Sequence, residues 1–371
     1  MLSSNQEHLV EKLFSERFGA FHLFRPQNYR QGFTSKEPCD LFWSNGRHVA
    51  LFYLHDSAAP LAKQYRHNQQ QQHRYVRLWH EGGRSNNHAF DLTGFNRFGD
   101  SCTLQYKDME SVLVISIITA PCAALPEAIK DRGCPTGMVT ISEALLAYVA
   151  SSGGTFLDLL ALITGSIATN GAAEGQNALN GIIEAARLHL LVSWATSAPM
   201  RNGRDDGVTA DLWKETSSHL HTYRLRSNGA NGAAADAGDA FEKNSRDALS
   251  KVFGDLYLKD FQYISYAVAA TFANAGYPTF PKWATSKITC GERDYQISVF
   301  MSGAVSVDKV MGSVLEHNTP NTTILGYMMI PGLPPIFSPQ LITQARDGRY
   351  FIQSDRLLRA LVAQIQKSEP G

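Results

Sequence analysis

The stretch KEPCDLFWSNGRHVALFYLHD, residues 36–56, decides the fold of the N-terminal part of this chain. Two runs rich in aromatic and apolar residues flank an Asn-Gly pair, which favours a tight turn between antiparallel strands. The stretch therefore predicts a β-hairpin. One acid, Asp40, opens its first strand, and the pair His55-Asp56 closes its second strand. The start of one antiparallel strand lies beside the end of its partner, so these polar groups are expected to be neighbours.

Composition limits the classes of protein to which the chain can belong. Of its 371 residues, 44% are hydrophobic, and Lys+Arg and Asp+Glu number 34 each, so the net charge is zero. Binding to nucleic acid or to a membrane surface would then require a local charged patch. Five widely spaced cysteines are typical of reduced thiols. Neither a membrane-spanning run nor a signal-peptide pattern occurs, so a cytoplasmic protein without membrane contact is expected.

Hydrophobic periodicity predicts the order of elements in the first third of the chain. A helix is expected over residues 4–18, with capping-box spacing at Ser4 and Glu7. The hairpin follows, then a helix over 58–72, and then strands at the runs FDLTGF, SCTLQY and SVLVISIITAP. The last run is continuously apolar and β-branched, which is typical of a strand buried on both faces. Residues 1–135 are therefore expected to form an α/β domain with a mixed sheet.

Two further parts are predicted for the rest of the chain. Residues 136–275 have helical spacing, apart from a stretch rich in Gly, Ala and Asn at 227–240 that is expected to be a flexible linker. Residues 276–371 return to a mixed pattern. Two strands there, with a helix between them and an amphipathic helix at the end, predict a small α/β domain.

Acidic residues in the first part form a pattern that could bind a divalent metal. Carboxylates are expected to converge from the first helix and from both strands of the hairpin. Mg²⁺ or Mn²⁺ prefers such oxygen ligands and keeps positions for water and phosphate. A nearby lysine can neutralise charge that develops on the phosphate, and a histidine can act as a base. The candidate metal ligands are Glu7, Glu11, Asp40 and Asp56, and the candidate catalytic residues are Asp40, Asp56, Lys63 and His55.

The order of a helix carrying Glu7, the run EPCDL, a turn, the run VALFY and a second helix resembles the core of the PD-(D/E)xK nuclease superfamily. The resemblance covers residues 1–135. It implies a nuclease-like α/β fold with Asp40 as the metal ligand of the first strand and Glu7 or Glu11 as the helical carboxylate. It also implies metal-dependent cleavage of DNA or RNA, in a setting such as bacterial defence against phage.

This sequence departs from that family at the end of the second strand. The pattern requires an acid-x-Lys pair there, but the acid position holds Tyr53 or Leu54, and the lysine position holds His55 or Asp56. Lys63 could replace the lysine from the following helix. Unless it does so, the catalytic motif is degenerate, and the protein is expected to bind nucleic acid without cleaving it.

The pair His55-Asp56 also fits the short motif of the HD phosphohydrolases. That family places the pair on a helix within an all-helical domain. The residues before it here follow an Asn-Gly turn and are β-branched or aromatic, which favours a strand. The hairpin interpretation is therefore preferred.

The tract YRHNQQQQHRYVRLWH, residues 65–80, is the strongest candidate for contact with nucleic acid. Basic groups contact phosphates, and aromatic rings can stack on bases. The equally weighted alternative is a solvated helix end that runs into a strand. The candidate residues are Arg66, Arg74, Arg77, Tyr75 and Trp79.

Each candidate residue also has a simpler structural explanation. Glu7 can cap a helix, Glu11 can belong to a solvated helix face, and Asp40 can accept backbone N–H groups at a strand start. The rival hypothesis is therefore a non-catalytic interaction or scaffold subunit, which assembles with itself or with an operon-encoded partner. The two hypotheses differ in whether the carboxylates share one cleft.

Overall fold

The computed structural model divides the chain into two compact units. The first comprises Met1–Ser193, Arg224–Ser227 and Ser250–Leu258, and the second comprises the remaining residues. These boundaries are not those predicted near residues 135 and 275, and the three-domain division stays a prediction. None of the described helices is both long and apolar enough to cross a membrane. The structure describes residues 5–55, 74–85, 87–118, 137–143, 146–147, 154–161, 163, 207–225, 250–276, 284–291, 293–301, 322–329 and 340–341.

A mixed seven-stranded sheet forms the framework of the first unit. Across the sheet the strand order is β7-β6-β1-β4-β5-β8-β9, while β2 and β3 form a separate hairpin. Neighbouring strands of the large sheet are antiparallel, except that β5 and β8, and β8 and β9, are parallel. The strands are β1 (Leu23–Pro26), β2 (Tyr29–Gln31), β3 (Thr34–Lys36), β4 (Leu41–Ser44), β5 (His48–His55), β6 (Leu92–Asn96), β7 (Ser101–Leu104), β8 (Ser111–Ile118) and β9 (Gly137–Ser142).

The predicted hairpin is confirmed as β4 and β5, which pair antiparallel from Leu41 opposite Phe52 to Ser44 opposite Val49. Its turn forms for a local reason. The side-chain oxygen of Asn45 accepts hydrogen bonds from the backbone N–H groups two and three residues further on, at 3.1 and 2.8 Å. The following glycine adopts a φ of 90°, which a residue with a Cβ atom rarely does.

Two layers of helix cover this sheet on opposite faces. The helix Asn5–Leu13 and the π-helical turn Phe14–Phe18 bury Val10, Phe14 and Phe18 against one face. Residues 74–85 form a second helix, which packs against the other face. Strand β8 contributes to both apolar clusters, and this confirms the prediction that it is buried on both sides.

Two elements differ from the sequence prediction. Residues 74–80 are helical, whereas the sequence allowed a strand there. Residues 137–142, at the start of the region predicted to be helical, form β9. Pairing with the buried strand β8 offers this β-branched run a sheet edge, and such pairing overrides a weak local preference. The predicted helix over 58–72 lies outside the described residues.

The second unit contains a four-stranded sheet, in which β10 (Ala284–Cys290), β11 (Arg293–Met301), β12 (Thr322–Met329) and β13 (Gln340–Leu341) are adjacent in that order. Strands β11 and β12, which were predicted, are parallel, and β10 was not predicted. Helices Ala210–Leu225 and Leu258–Asn274 confirm two predicted helices. The linker at 227–240 and the two predicted C-terminal helices lie outside the described residues.

Candidate functional site

Asp40 lies at the base of the hairpin, directly before β4, and is half-buried. Its backbone N–H donates to the carbonyl of Phe52 at 3.0 Å, and its Oδ2 accepts from the N–H of Leu54 at 2.7 Å. The hydroxyl of Tyr53 donates to the carbonyl of Pro38 close by. The start of β4 and the end of β5 are therefore neighbours, as their antiparallel pairing predicts.

The Asp40 carboxyl is electrostatically perturbed. Burial raises its pKa from 3.8 to about 6. The hydrogen bond from Leu54 opposes this rise because it favours the charged form, while the negative charges of Glu37 and Glu7 add to it. The structure thus brings three carboxylates within electrostatic reach of one another, and one of them titrates near neutral pH. Such carboxyl groups are common at functional sites.

Arg25 of β1 engages both acids of the first helix. Its guanidinium lies 3.1 Å from a Glu7 oxygen and 2.7 Å from a Glu11 oxygen. Burial opposes the charge of Arg25, but the two glutamates outweigh it and raise the pKa of the guanidinium. Partial desolvation of the Glu37 carboxyl and the negative charge of Glu7 raise the pKa of Glu37, and the positive charge of Arg25 opposes that rise.

The remaining residues of the predicted metal site stay predictions. Asp56 and Lys63 lie outside the described residues, and for His55 only the backbone, at the end of β5, is described. Within the described ranges, no group of three or more His, Cys, Asp or Glu side chains is arranged to hold a metal ion. In this arrangement Glu7 and Glu11 are held by Arg25.

The structure corrects the aromatic part of the predicted nucleic-acid tract. Tyr75 and Trp79 are buried in the cluster under the helix 74–85, where their relative exposures are 2% and 1%. The Tyr75 hydroxyl donates to the carbonyl of Phe90 at 3.2 Å, and Trp79 Nε1 donates to the carbonyl of Leu104 at 3.2 Å. A spacing of four residues places both rings on the face that packs against the sheet, so neither presents a surface on which a base could stack.

The described basic residues of the same tract, unlike its aromatic residues, lie on the solvent-exposed side of the helix. Arg74 and Arg77 are exposed on the helix 74–85, and Arg66 lies outside the described residues. Contact of these arginines with phosphates stays a prediction.

Sequence reasoning missed a run of positively charged residues between the first helix and the hairpin of β4 and β5. No acidic residue occurs between Glu16 and Glu37, whereas Arg17, Arg25, Arg30 and Lys36 fall within that run. This local excess of positive charge was the available signal, and the zero net charge of the whole chain obscured it. A pocket of about 330 Å³ lies in the same region, and its lining includes Arg25 and Arg97.

Comparisons of the chain with protein-family models, with curated proteins and with solved structures found no match. The fold is that of a mixed α/β protein, and a function must be inferred from the residues of the site.

The raised pKa of Asp40 predicts a specific pH dependence. Between about pH 4 and pH 6 the folded protein holds a proton that the unfolded chain has released, so this carboxyl costs increasing stability as the pH rises through that window. In Asp40→Asn the amide oxygen can still accept from Leu54, but this cost disappears. We expect the free energy of unfolding of the variant, relative to the wild type, to rise by on the order of 2 kcal/mol from pH 4 to pH 7.

Urea denaturation at several pH values measures this difference. Asp108→Asn is the matched control because Asp108 is exposed in the same unit, and its difference from the wild type should stay constant. A difference for Asp40→Asn that is equally constant across the window contradicts the prediction.

Proposed function

We propose that this chain binds nucleic acid through its first unit and holds a divalent cation at Asp40, as a divergent member of the PD-(D/E)xK nuclease superfamily. The observation that carries the proposal is the environment of Asp40. A half-buried carboxyl at the junction of two strands lies within electrostatic reach of Glu37 and Glu7, and burial raises its pKa to about 6. A bound cation would relieve the repulsion within this cluster.

The donor chemistry of the cluster fits Mg²⁺ or Mn²⁺, which take carboxylate oxygens as ligands. Asp40 and Glu37 would hold the cation, and Glu7 already forms an ion pair with Arg25. A bound cation would supply stabilisation for charge on a phosphate oxygen and acidify a water molecule. Arg25 keeps the charge of Glu7 and Glu11 partly neutralised, and this lets the acids lie near one another before a cation binds.

A second candidate function is a non-catalytic interaction or scaffold subunit, which assembles with itself or with a protein partner. One observation favours it. The contacts that engage the candidate acids, from Leu54 to Asp40 and from Arg25 to Glu7 and Glu11, also join strands and helix of the fold. Under this hypothesis Asp40 connects β4 to β5 and has no further role.

Cation binding separates the two functions directly. Thermal unfolding and calorimetric titration of the purified chain with Mn²⁺ or Mg²⁺ should show binding in the wild type and in Asp108→Asn, and at least tenfold weaker binding in Asp40→Asn. A cation present at about 100 times its dissociation constant stabilises the folded state by about 2.7 kcal/mol, which is readily measured as a rise in Tm. Equal cation affinity in all three proteins overturns the Asp40 site.

Cleavage is the second measurement on the same proteins. Plasmid DNA and RNA are incubated with the chain in the presence of Mg²⁺, Mn²⁺ or EDTA. Metal-dependent cleavage that is lost in Asp40→Asn and kept in Asp108→Asn indicates a working nuclease site. Cation binding at Asp40 without cleavage indicates that the divergent acid-x-Lys positions have removed the catalytic step.

A further inference from the structure

The hairpin formed by β2 and β3, residues 29–36, carries an unusual aromatic side chain at its tip. Phe33 has a relative exposure of 110%, so its ring is entirely in solvent. Within the described residues, only Phe33 and Phe95 are large hydrophobic side chains that are exposed. A ring presented in this way is available to a ligand.

This tip is held by an ordered hairpin. The strands pair in register from Tyr29 opposite Lys36 to Gln31 opposite Thr34. The Thr34 hydroxyl donates to the backbone carbonyl of Gln31 at 2.9 Å, and the Lys36 ammonium donates to the Gln31 side chain at 3.1 Å. The backbone that carries Phe33 is therefore ordered before a ligand binds, which lowers the entropy lost on binding.

The base of the hairpin is anchored in the core of the first unit. The Tyr29 ring lies 5.1 Å from that of Tyr75 and 6.0 Å from that of Phe90, measured between centroids. Tyr75 belongs to the helix 74–85, so the hairpin and this helix are neighbours. One residue of the hairpin is thus buried while its tip projects.

An exposed cation lies on the hairpin, and a second cation lies near its base. Arg30 is exposed on β2 and forms no ion pair with any of the residues that the structure describes. Burial raises the pKa of the Tyr29 phenol, and the positive charge of Arg74 opposes that rise, so Arg74 lies within electrostatic reach of the hairpin base. No acidic residue interrupts the chain from Arg17 to Lys36. The hairpin therefore carries one exposed aromatic ring and one exposed arginine, and Arg74 lies near its base.

We propose that this hairpin binds single-stranded nucleic acid, with Phe33 stacking on an unpaired base and Arg30 and Arg74 contacting phosphates of the same strand. The inference rests on the proposed function for the class of ligand and names the surface that would hold it. In a duplex the bases are already stacked, and inserting a ring requires unstacking them, whereas a single strand offers free base faces. A protein partner would require a contiguous apolar patch, and here a lone ring lies on a hairpin that also carries the exposed Arg30.

Fluorescence anisotropy of a labelled oligothymidylate tests the proposal. Binding is measured for the full chain in EDTA, so that no cation site contributes and no cleavage occurs. Removal of a stacking ring costs about 1–3 kcal/mol per base, so Phe33→Ala should weaken binding by about 5- to 150-fold. Phe33→Leu, which keeps an apolar side chain without a π-face, should weaken it similarly, and Phe33→Trp should restore it. A duplex of the same length should bind more weakly than the single strand.

Matched controls separate this surface from the cation site. Phe95→Ala removes the other exposed ring and should leave binding unchanged. Arg30→Ala should lower the slope of log affinity against log salt by about 1, as expected for the loss of one phosphate contact. Asp108→Asn should bind the oligonucleotide as the wild type does, and Phe33→Ala should keep the wild-type cation affinity. Oligonucleotide binding in EDTA tests the hairpin, and cation affinity tests the Asp40 site, so either proposal can fail without the other.

Three results overturn the proposal. One is wild-type affinity in Phe33→Ala. Another is wild-type affinity in Phe33→Leu, because it shows that apolar area and not stacking is recognised, as at a protein interface. The third is the absence of oligonucleotide binding by the wild-type chain.

Discussion

Asp158→Ala is expected to lower the free energy of unfolding of this protein by about 3–5 kcal/mol, one of the two largest effects that we predict for single substitutions. The Asp158 carboxylate is fully buried. Its Oδ2 accepts hydrogen bonds from the backbone N–H and the hydroxyl of Thr155, both at 2.8 Å, and from the N–H of Leu258 at 3.0 Å. One oxygen thus joins two segments that are 100 residues apart in the chain.

The charge of Asp158 also supports a buried cation. Arg224 is 2% exposed, and its guanidinium donates to the carbonyl of Arg17 at 2.7 Å. Burial lowers the pKa of Arg224 to about 10, and Asp158 opposes that fall. Without the carboxylate, Arg224 keeps its desolvation cost and loses this attraction, and the donors of Thr155 and Leu258 lose their buried acceptor.

Chemical denaturation followed by circular dichroism measures the effect. Asp108→Ala, which removes an exposed carboxylate from the same unit, is the control and should change stability by less than about 0.5 kcal/mol. Asp158→Asn keeps an acceptor oxygen without the charge and should fall between the two. A loss below about 1 kcal/mol in Asp158→Ala contradicts this account of the buried pair.

Trp79→Ala is expected to cost about 3–5 kcal/mol of stability. The indole is 1% exposed, its Nε1 donates to the Leu104 carbonyl, and its ring centroid lies 5.2 Å from that of Tyr106. Truncation leaves a cavity and a carbonyl without its donor, and both terms are unfavourable. Arg77→Ala, two residues earlier on the exposed side of the helix, should leave stability within about 0.5 kcal/mol.

The same two variants separate the core from the proposed nucleic-acid surface. Thermal unfolding and oligonucleotide anisotropy are measured for each. Trp79→Ala should lose stability, and Arg77→Ala should keep stability and weaken binding in a salt-dependent manner. A Trp79→Ala variant that is as stable as the wild type but does not bind the oligonucleotide would contradict the core assignment. It would indicate that the indole contacts nucleic acid.

Local patterns in the sequence predicted much of the first unit. The Asn-Gly turn, the aromatic and β-branched runs beside it and the continuous apolar run of β8 each act over a few residues, so their structures follow from short-range geometry. The periodicity of the first helix acts over the same range. By contrast β9 requires an edge of β8 that is created only when distant residues assemble.

For the candidate site, the sequence predicted the position of Asp40 beside the end of β5. The second feature of the candidate site, the pattern of charges around Asp40, depends on which side chains the fold brings together. Arg25 is 14 residues from Glu11, and no pattern in the sequence predicts that they interact. In the structure Arg25 forms ion pairs with both Glu7 and Glu11 of the first helix. Likewise, the spacing of Tyr75 and Trp79 fits either a binding tract or a buried helix face, and burial decides between them.

The sequence by itself thus determined the hairpin, the doubly buried strand and the first helix, because turn chemistry and hydrophobic period act between near neighbours. Only the tertiary structure decided that Tyr75 and Trp79 belong to the core, that Arg25 holds Glu7 and Glu11, that Glu7 lies within electrostatic reach of Asp40, and that Phe33 projects into solvent. The physical reason is that burial and electrostatic interaction depend on distance in space, and for these residues that distance is set by the packing of segments that are far apart in the chain.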